Sequence, residues 1–469
     1  MADKILSVGI DIGTTTTQVI FSEFTVQNTA SAFLVPKVQI VGKDIIYRSE
    51  IHFTPLVSRE MIDLTKLKEL IGKEYVRARI HKEDISTGAI IITGETARKE
   101  NAEKVLNALS EFAGDFVVAT AGADLEAVLA GFGSGAAAVS RAAFRKVINF
   151  DIGGGTTNAS VFSEGELVDS FALDIGGRLI RFNKQGKVAY ISDKIGKIID
   201  VLKLNLQVGE RPEFEDLNVL CMKFARIILK IASNEKLTRE EEGLFIQHKN
   251  KNLKAETFMF SGGVAEFIYS NDTIATLADT AKFGDIGPLF GYSIRRIFKQ
   301  SGDQLLEPKE KIRATVVGAG THSIKLSGST ILFEEDILPI KNIPIVKVFN
   351  GGSEDIDFMD QSIREKISLY TDEDVAIAFR GPKSPRYLQI KKMAESIVSV
   401  FEDRANPIII VVENDFAKAL GQTIQDRVGN TKKVICIDNI KVDTGDYIDI
   451  GKPIENTVPV VIKTLIFKN

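Results

Sequence analysis

Two short stretches carry the residue types and spacing that phosphate chemistry needs. The first reads Ile10-Asp11-Ile12-Gly13-Thr14-Thr15-Thr16-Thr17-Gln18, and the second reads Phe150-Asp151-Ile152-Gly153-Gly154-Gly155-Thr156-Thr157-Asn158. In each, an apolar run ends on an aspartate, turns on glycine and threonine, and enters a second apolar run. Laid over one another without gaps, Asp11 meets Asp151, Gly13 meets Gly153, Thr16 meets Thr156 and Thr17 meets Thr157. Glycine lets backbone N–H groups approach an oxyanion because no Cβ stands between them. Threonine hydroxyls add donors. An aspartate at a strand end suits Mg²⁺, which keeps several waters and takes few carboxylates. One copy could be an ordinary hairpin. Two copies imply two related domains facing one phosphate chain. Asp11 and Asp151 are therefore expected to be the catalytic and metal-binding pair. Gly13, Thr14, Thr15, Thr16, Gly153, Gly154, Gly155, Thr156 and Thr157 are the expected phosphate contacts.

Other stretches read as supports for such a site. Asp174-Ile175-Gly176-Gly177-Arg178 is expected to open a helix whose free N–H groups offer an anion site at Gly176 and Gly177. Phe258 to Glu266 reads as strand, paired glycines, helix. That turn could admit a base or ribose against bare backbone, so Ser261, Gly262, Gly263 and Glu266 are expected contacts. Ala121 to Ser140 is rich in small residues and suits a helix crossing between domains, with Glu126 as its charged side chain facing the nucleotide and a third expected catalytic residue. Thr315 to Thr321 reads as a strand running into small residues, a second crossing that includes Gly318.

Elements along the chain place these turns. Ile5 to Ile10 is expected as a buried strand with a hairpin partner from Thr17, followed by further alternating strands to Phe53. Met61 to Ala78 should be helical, Gly88 to Gly94 a strand, and Asn101 the cap of another helix. Leu217 to Ala232 and Asp285 to Phe298 read as helices, the latter interrupted near Gly291. Beyond Lys325, strands at Ile343, Val375, Ile408 and Val434 alternate with helices at Met393 and Phe416. The expected fold is α/β, with domains at 1–146, 147–324 and 325–469.

Composition bounds the function. The chain has 469 residues, 44% hydrophobic and 26% charged, which suits about three globular domains. Net charge is −4, from 59 basic and 63 acidic residues, which argues against nucleic acid or an anionic membrane as a partner. Two distant cysteines, Cys221 and Cys436, exclude a disulfide framework and a single-chain iron–sulfur site. No apolar run approaches membrane-spanning length, and the expected location is cytoplasmic.

In chain order, the Asp11 turn, the alanine-rich crossing, the Asp151 turn, Ser261-Gly262-Gly263 and Gly318-Ala319-Gly320 resemble the actin, heat-shock-chaperone and sugar-kinase ATPase superfamily. The resemblance implies two actin-like ATPase (ribonuclease H-like) domains around a cleft that binds ATP and Mg²⁺. Three further segments are similar to the ethanolamine ammonia-lyase reactivating proteins of ethanolamine utilisation: Thr87 to Ala102, Asp285 to Arg295, and Val458 to Ile466. That likeness implies an ATP-dependent factor that exchanges damaged for intact cobalamin on an adenosylcobalamin-dependent lyase. It also implies a bacterial microcompartment as a setting and a homodimer as a form. Chaperone ATPases carry a lysine that helps the attacking water. No counterpart is placed here, so slow turnover is expected. The rival readings are a small-molecule kinase and an actin-like scaffold.

Overall fold

The computed structural model describes residues 3–13, 16–29, 38–58, 61–93, 101, 104–105, 108–109, 117–120, 123–246, 254–302, 305–322, 324–328, 330–349, 356–368, 370, 374–402, 404–442, 446–453 and 457–464. The first sheet runs Val38–Arg48, Thr16–Asn28, Asp3–Ile12, Ile85–Ile92, Val117–Thr120 in space. Asp3–Ile12 is antiparallel to Thr16–Asn28 and parallel to Ile85–Ile92. The second sheet runs Phe245–Ile246, Glu166–Leu173, Thr157–Ser163, Val147–Ile152, Thr257–Ser261. Here Val147–Ile152 is antiparallel to Thr157–Ser163 and parallel to Thr257–Ser261. The repeat seen in the two turns thus extends to a hairpin plus a parallel third strand in each sheet.

Side chains alternate across a strand, and this decides where the aspartates point. In the first sheet Val8, Ile10 and Ile12 pack with Leu67 and Ile71 of the helix Leu64–Ala78. Ile5, Ser7, Gly9 and Asp11 face the other way, where Ile5 meets Leu129 and Ala319. In the second sheet Ile148, Phe150 and Ile152 join the large core around Phe224 and Phe290. Val147 packs with Ala136 and Met259 on the opposite face, which it shares with Asn149 and Asp151. Period two therefore puts both carboxylates on the faces that meet the crossing segments.

Two helices form those crossings, Ala123–Ser134 and Ala314–His322. They touch backbone to backbone. A Cβ on Gly133 would lie 1.8 Å from the Ala314 carbonyl oxygen, and one on Gly318 would lie 1.9 Å from that of Leu129. Ala314–His322 also packs on the first sheet: a Cβ on Gly9 would lie 2.7 Å from the Val316 carbonyl oxygen, and the Ser7 hydroxyl donates to the Gly320 carbonyl at 2.8 Å.

A third sheet has the order Ile324–Leu326, Pro459–Thr464, Asp446–Ile450, Ile340–Lys347, Ala376–Phe379, Ile408–Val412, Val434–Ile437. Its last four strands are parallel and joined by the helices Met359–Ile367, Tyr387–Phe401 and Ala417–Val428. Val461 reaches into the cluster that holds Ile5, Phe24 and Leu129, so this sheet leans on the first. Among the described residues no helix is long and apolar enough to cross a membrane.

Four expectations need correction. Thr315 to Thr321 is helical throughout, although Thr, Val and Gly are poor helix formers. Close helix packing, which only glycine permits, overrides that propensity. The segment after Arg178 is the strand Ile180–Phe182, not a helix. The helix Gly287–Ser301 is unbroken, because Gly291 serves packing: its Cβ would meet Phe267 Cβ at 2.7 Å. The alanine-rich region is two helices, parted at Gly135, whose φ is +90°. Much of the expected helix after Asn101, and 94–100 within the Thr87 to Ala102 segment, lie outside the described residues.

Candidate functional site

The two turns close in the same way. The Gly13 N–H donates to the Thr16 carbonyl at 2.8 Å, and the Gly153 N–H donates to the Thr156 carbonyl at 3.0 Å. Asp11 stands opposite Gln18 across its hairpin, as Asp151 stands opposite Asn158. Thr14 and Thr15 lie outside the described residues.

Each aspartate is held by hydroxyls from neighbouring elements. Thr93, just past the strand Ile85–Ile92, donates to Asp11 Oδ1 at 3.0 Å. Ser261 donates to Asp151 Oδ1 at 2.6 Å and itself accepts from Asn149 Nδ2 at 2.9 Å. Thr315, in the first turn of the second crossing helix, also hydrogen-bonds Asp151. Burial pushes the Asp11 carboxyl up to about 7; Thr93 opposes this, and the charge of Asp151 adds to it. Burial likewise pushes Asp151 up to about 6, against the hydrogen bonds from Ser261 and Thr315. Two desolvated carboxylates that feel one another are a donor set for a hard divalent cation. Among the described residues no group of three or more His, Cys, Asp or Glu side chains gathers as a metal site.

The glycines sort by what a side chain would meet. At Gly153, Gly155 and Gly263 the space is open: the nearest atoms are Thr156 O at 3.6 Å, nothing within 4 Å, and Ile312 Cδ1 at 3.8 Å. Bare backbone there is available to a ligand. Gly262 serves the fold instead: its φ is +83° and a Cβ would lie 2.4 Å from the Ile152 carbonyl oxygen. A Cβ on Gly13 would lie 3.0 Å from the Thr16 carbonyl oxygen, so that glycine serves its own turn. Gly154 is covered by the Arg178 side chain, whose Cδ would sit 3.1 Å from a Cβ there.

The Gly176-Gly177 expectation changes in kind. The Gly177 N–H donates to the Gly153 carbonyl at 2.9 Å, and the Arg178 N–H donates to the Gly154 carbonyl at 2.7 Å. Those donors are spent on bracing the second aspartate turn and are not an open anion site. Gly176 must be glycine because a Cβ would lie 2.5 Å from the Gly154 carbonyl oxygen. Gly318 lies within the helix crossing, where Leu129 takes its space. Glu126 is in the first turn of Ala123–Ser134 and half-buried. Glu266 is exposed, and its carboxylate accepts from the Ile312 N–H at 3.5 Å.

The matching family model is that of the ethanolamine utilisation protein EutA, over residues 3–468. This chain belongs to the EutA family. It is 34% identical over 471 residues to the ethanolamine ammonia-lyase reactivase EutA of Salmonella typhimurium, covering 99% of each chain. It is also 34% identical over 468 residues to the protein of that name from Escherichia coli, again over 99% of each. Among solved structures it is similar to the Aquifex aeolicus PPX-GPPA enzyme, with a TM-score of 0.41 and 12% identity, over 67% of this chain and 99% of that one.

For this EutA chain, sequence reasoning named Ser261 but overlooked the other two hydroxyls that orient the aspartates. Thr93 and Thr315 are single hydroxyls at the ends of otherwise apolar runs. Thr93 follows the buried run Ile90-Ile91-Ile92, whereas Thr315 opens the buried run into Val316 and Val317. It also overlooked the strap at 310–313. Arg48 pairs with Glu310 at 2.6 Å, Gln18 Nε2 donates to the Ile312 carbonyl at 3.3 Å, Arg313 donates to the Ser49 carbonyl at 3.0 Å, and the Gly262 N–H donates to the Lys311 carbonyl at 3.0 Å. The strap ties the Gly262-Gly263 turn to the first sheet.

Open space at Gly263 makes a clean test. Gly263→Val should still fold, because beyond its chain neighbours the nearest atom to the new Cβ is the flexible Ile312 Cδ1 at 3.8 Å. Its affinity for ATP should fall about tenfold or more, about 1.4 kcal/mol. Equal calorimetric affinity in the two proteins would move the adenosine site elsewhere.

Proposed function

We propose that this chain is an ATP-dependent reactivating factor for ethanolamine ammonia-lyase, which exchanges damaged cobalamin on that enzyme for intact cofactor. The family supports the partner, and the relatives' names carry the reactivase activity. What supports the nucleotide is the pair of matched turns, with Asp11 and Asp151 on facing sheet surfaces and close enough for one charge to raise the other's pKa.

In this reading 1–146 and 147–324 are the two ATPase domains and 325–469 is a third, α/β domain that contacts the lyase. Gly153, Gly155, Thr156 and Gly263 take the nucleotide; Thr16, Glu126 and Glu266 stand at its borders. Asp11 and Asp151 are the residues that would hold Mg²⁺. Bound there, the ion supplies charge neutralisation at the terminal phosphate. Neither aspartate attacks phosphorus. Thr93, Ser261 and Thr315 fix where the two carboxylates stand, and positioning is most of what phosphoryl transfer needs. The protein works in the cytoplasm, beside or within a bacterial microcompartment, and a homodimer is its proposed form.

A nucleotide moves a protein only through unequal affinity for two states. Thr315 touches Asp151 while Gly320, on the same helix, touches the Asp11 strand. Phosphate contacts at either turn therefore act on one crossing helix. The ATP and ADP forms should bind inactivated lyase with affinities differing about tenfold or more, about 1.4 kcal/mol of coupling. Titrating the lyase with each form, while cobalamin release is followed by absorbance, checks this. Equal affinities without nucleotide-dependent release would remove the switch.

A further inference from the structure

The third sheet contains a cavity that the nucleotide chemistry does not use. It has a volume of about 290 Å³ and lies at the carboxyl ends of the parallel strands Ile340–Lys347, Ala376–Phe379 and Ile408–Val412. Its size is close to the lower end, about 300 Å³, of small-molecule sites. At this edge the parallel strands end and the following helices begin. The helices Met359–Ile367, Tyr387–Phe401 and Ala417–Val428 all start at this edge, so the positive ends of their dipoles converge on it.

The lining has two characters. Phe379, Met359 and Met393 are buried and, with the half-buried Phe349, form an apolar floor of aromatic rings and thioethers. Arg380 and Lys383 line the cavity and are exposed, so they stand at its mouth. The loop that carries both cations is braced. Asn414 Nδ2 donates to the Gly381 carbonyl at 2.7 Å. Gly381 has φ +70°, and a Cβ there would lie 2.3 Å from the Phe416 ring. The positive φ favours glycine at this turn, which fixes the backbone between the two cations.

We propose that this cavity binds a small organic anion, with an apolar body the size of a phenyl ring on the floor and a carboxylate or phosphate between Arg380 and Lys383. Thioethers and rings suit a flat apolar body. Guanidinium and ammonium groups recognise either anion.

The test uses the full-length protein carrying ¹³C-methyl methionine. The chain has six methionines, so each signal can be assigned by single Met→Leu variants. The probes are phenyl phosphate, phenylacetate and neutral 2-phenylethanol. Met359 and Met393 signals should move saturably with at least one anion while Met222 and Met259 stay still. Comparing the two anions tells phosphate from carboxylate. The neutral alcohol should bind about tenfold more weakly, and Lys383→Gln should weaken the anion by a similar factor without altering the melting temperature. Met393→Trp should fill the floor and abolish the Met359 response. Three results would overturn the proposal: no saturable movement at millimolar probe, equal affinity for the neutral alcohol, or unchanged binding in Lys383→Gln. If the cavity instead seats a protein side chain, the first of these is what will be seen.

Discussion

Asp151→Asn is expected to cost about a hundredfold or more in ATP hydrolysis while keeping the fold and most nucleotide affinity. The substitution keeps the side-chain size and one oxygen for the Ser261 hydroxyl. It removes a charge from the acidic centre, and losing one preorganised electrostatic partner of a transition state commonly costs 10²–10³-fold, roughly 3 to 4 kcal/mol. In the proposed site the nucleotide contacts spread over several glycines and the Gly263 turn, so affinity should fall much less. Single-turnover ADP formation beside calorimetric ATP binding separates the two. Unchanged turnover would end the two-carboxylate model.

The same substitution should stabilise the empty protein above neutral pH. In the folded chain Asp11 titrates near 7 and Asp151 near 6, against an ordinary 3.8. Between those values the folded state holds protons that the unfolded chain has released. Stability from these two groups is therefore full below about pH 4 and is lost as pH rises through about 6 and 7. Without Mg²⁺ or nucleotide, Asp151→Asn and Asp11→Asn should each melt above the parent at pH 8, by a few degrees. The difference should shrink as pH falls and vanish only below about pH 4, where both carboxyls are protonated in the folded and the unfolded chain alike. Mg²⁺ should raise the parent's melting temperature and not the variants'. A parent that melts higher than both variants at pH 8 without ligand would show that the carboxylates are not held against their own desolvation.

The turns were legible in the sequence because their chemistry is local. Aspartate, glycine and threonine at fixed spacing specify a hairpin whichever core it lies on, and the matched register of Asp11 with Gln18 and Asp151 with Asn158 follows from it. The elements of the third sheet were legible from apolar periodicity: the strands at Ile343, Val375, Ile408 and Val434 and the helices at Met393 and Phe416 all appear. What failed was governed by distant packing. Thr315 to Thr321 reads as strand by propensity, and only the partner glycine at Gly133 makes it helix. Gly176 and Gly177 look like an open anion site locally, yet their role is set by the Gly153 and Gly154 carbonyls, more than twenty residues away in sequence. Glycine signals either a need for space or a need for bareness, and the sequence does not separate these. The structure does, by what a Cβ would strike at Gly154 and Gly318 and would not strike at Gly155 and Gly263.

Gly133→Ala should be among the most destabilising single-methyl changes in the chain. Its Cβ would lie 1.8 Å from the Ala314 carbonyl oxygen and 2.7 Å from the Gly318 nitrogen, both backbone atoms that cannot rotate away. Relief requires the two crossing helices to part, which also loosens the clusters at Leu129 and Ala319. Overpacking of a core by a methyl costs about 1–3 kcal/mol where side chains can yield, and the cost should exceed that here. Gly155→Ala, with nothing within 4 Å, is the matched control and should melt as the parent does. Gly320→Ala is the informative intermediate. Its Cβ would lie 3.1 Å from Ile20 Cδ1 and 3.3 Å from Gly9 Cα, a fit that a shift of a few tenths of an ångström relieves. It should fold with a loss of about 1 kcal/mol and still bind ATP. The helix would then be wedged off the Asp11 strand while its Thr315 end stays on Asp151. If this helix carries the difference between nucleotide states, the ratio of lyase affinities in ATP and ADP should fall towards one in Gly320→Ala. A parent-like ratio in the folded variant would place the coupling in the 310–313 strap, which joins the same two sheets through Arg48, Gln18 and Ser49.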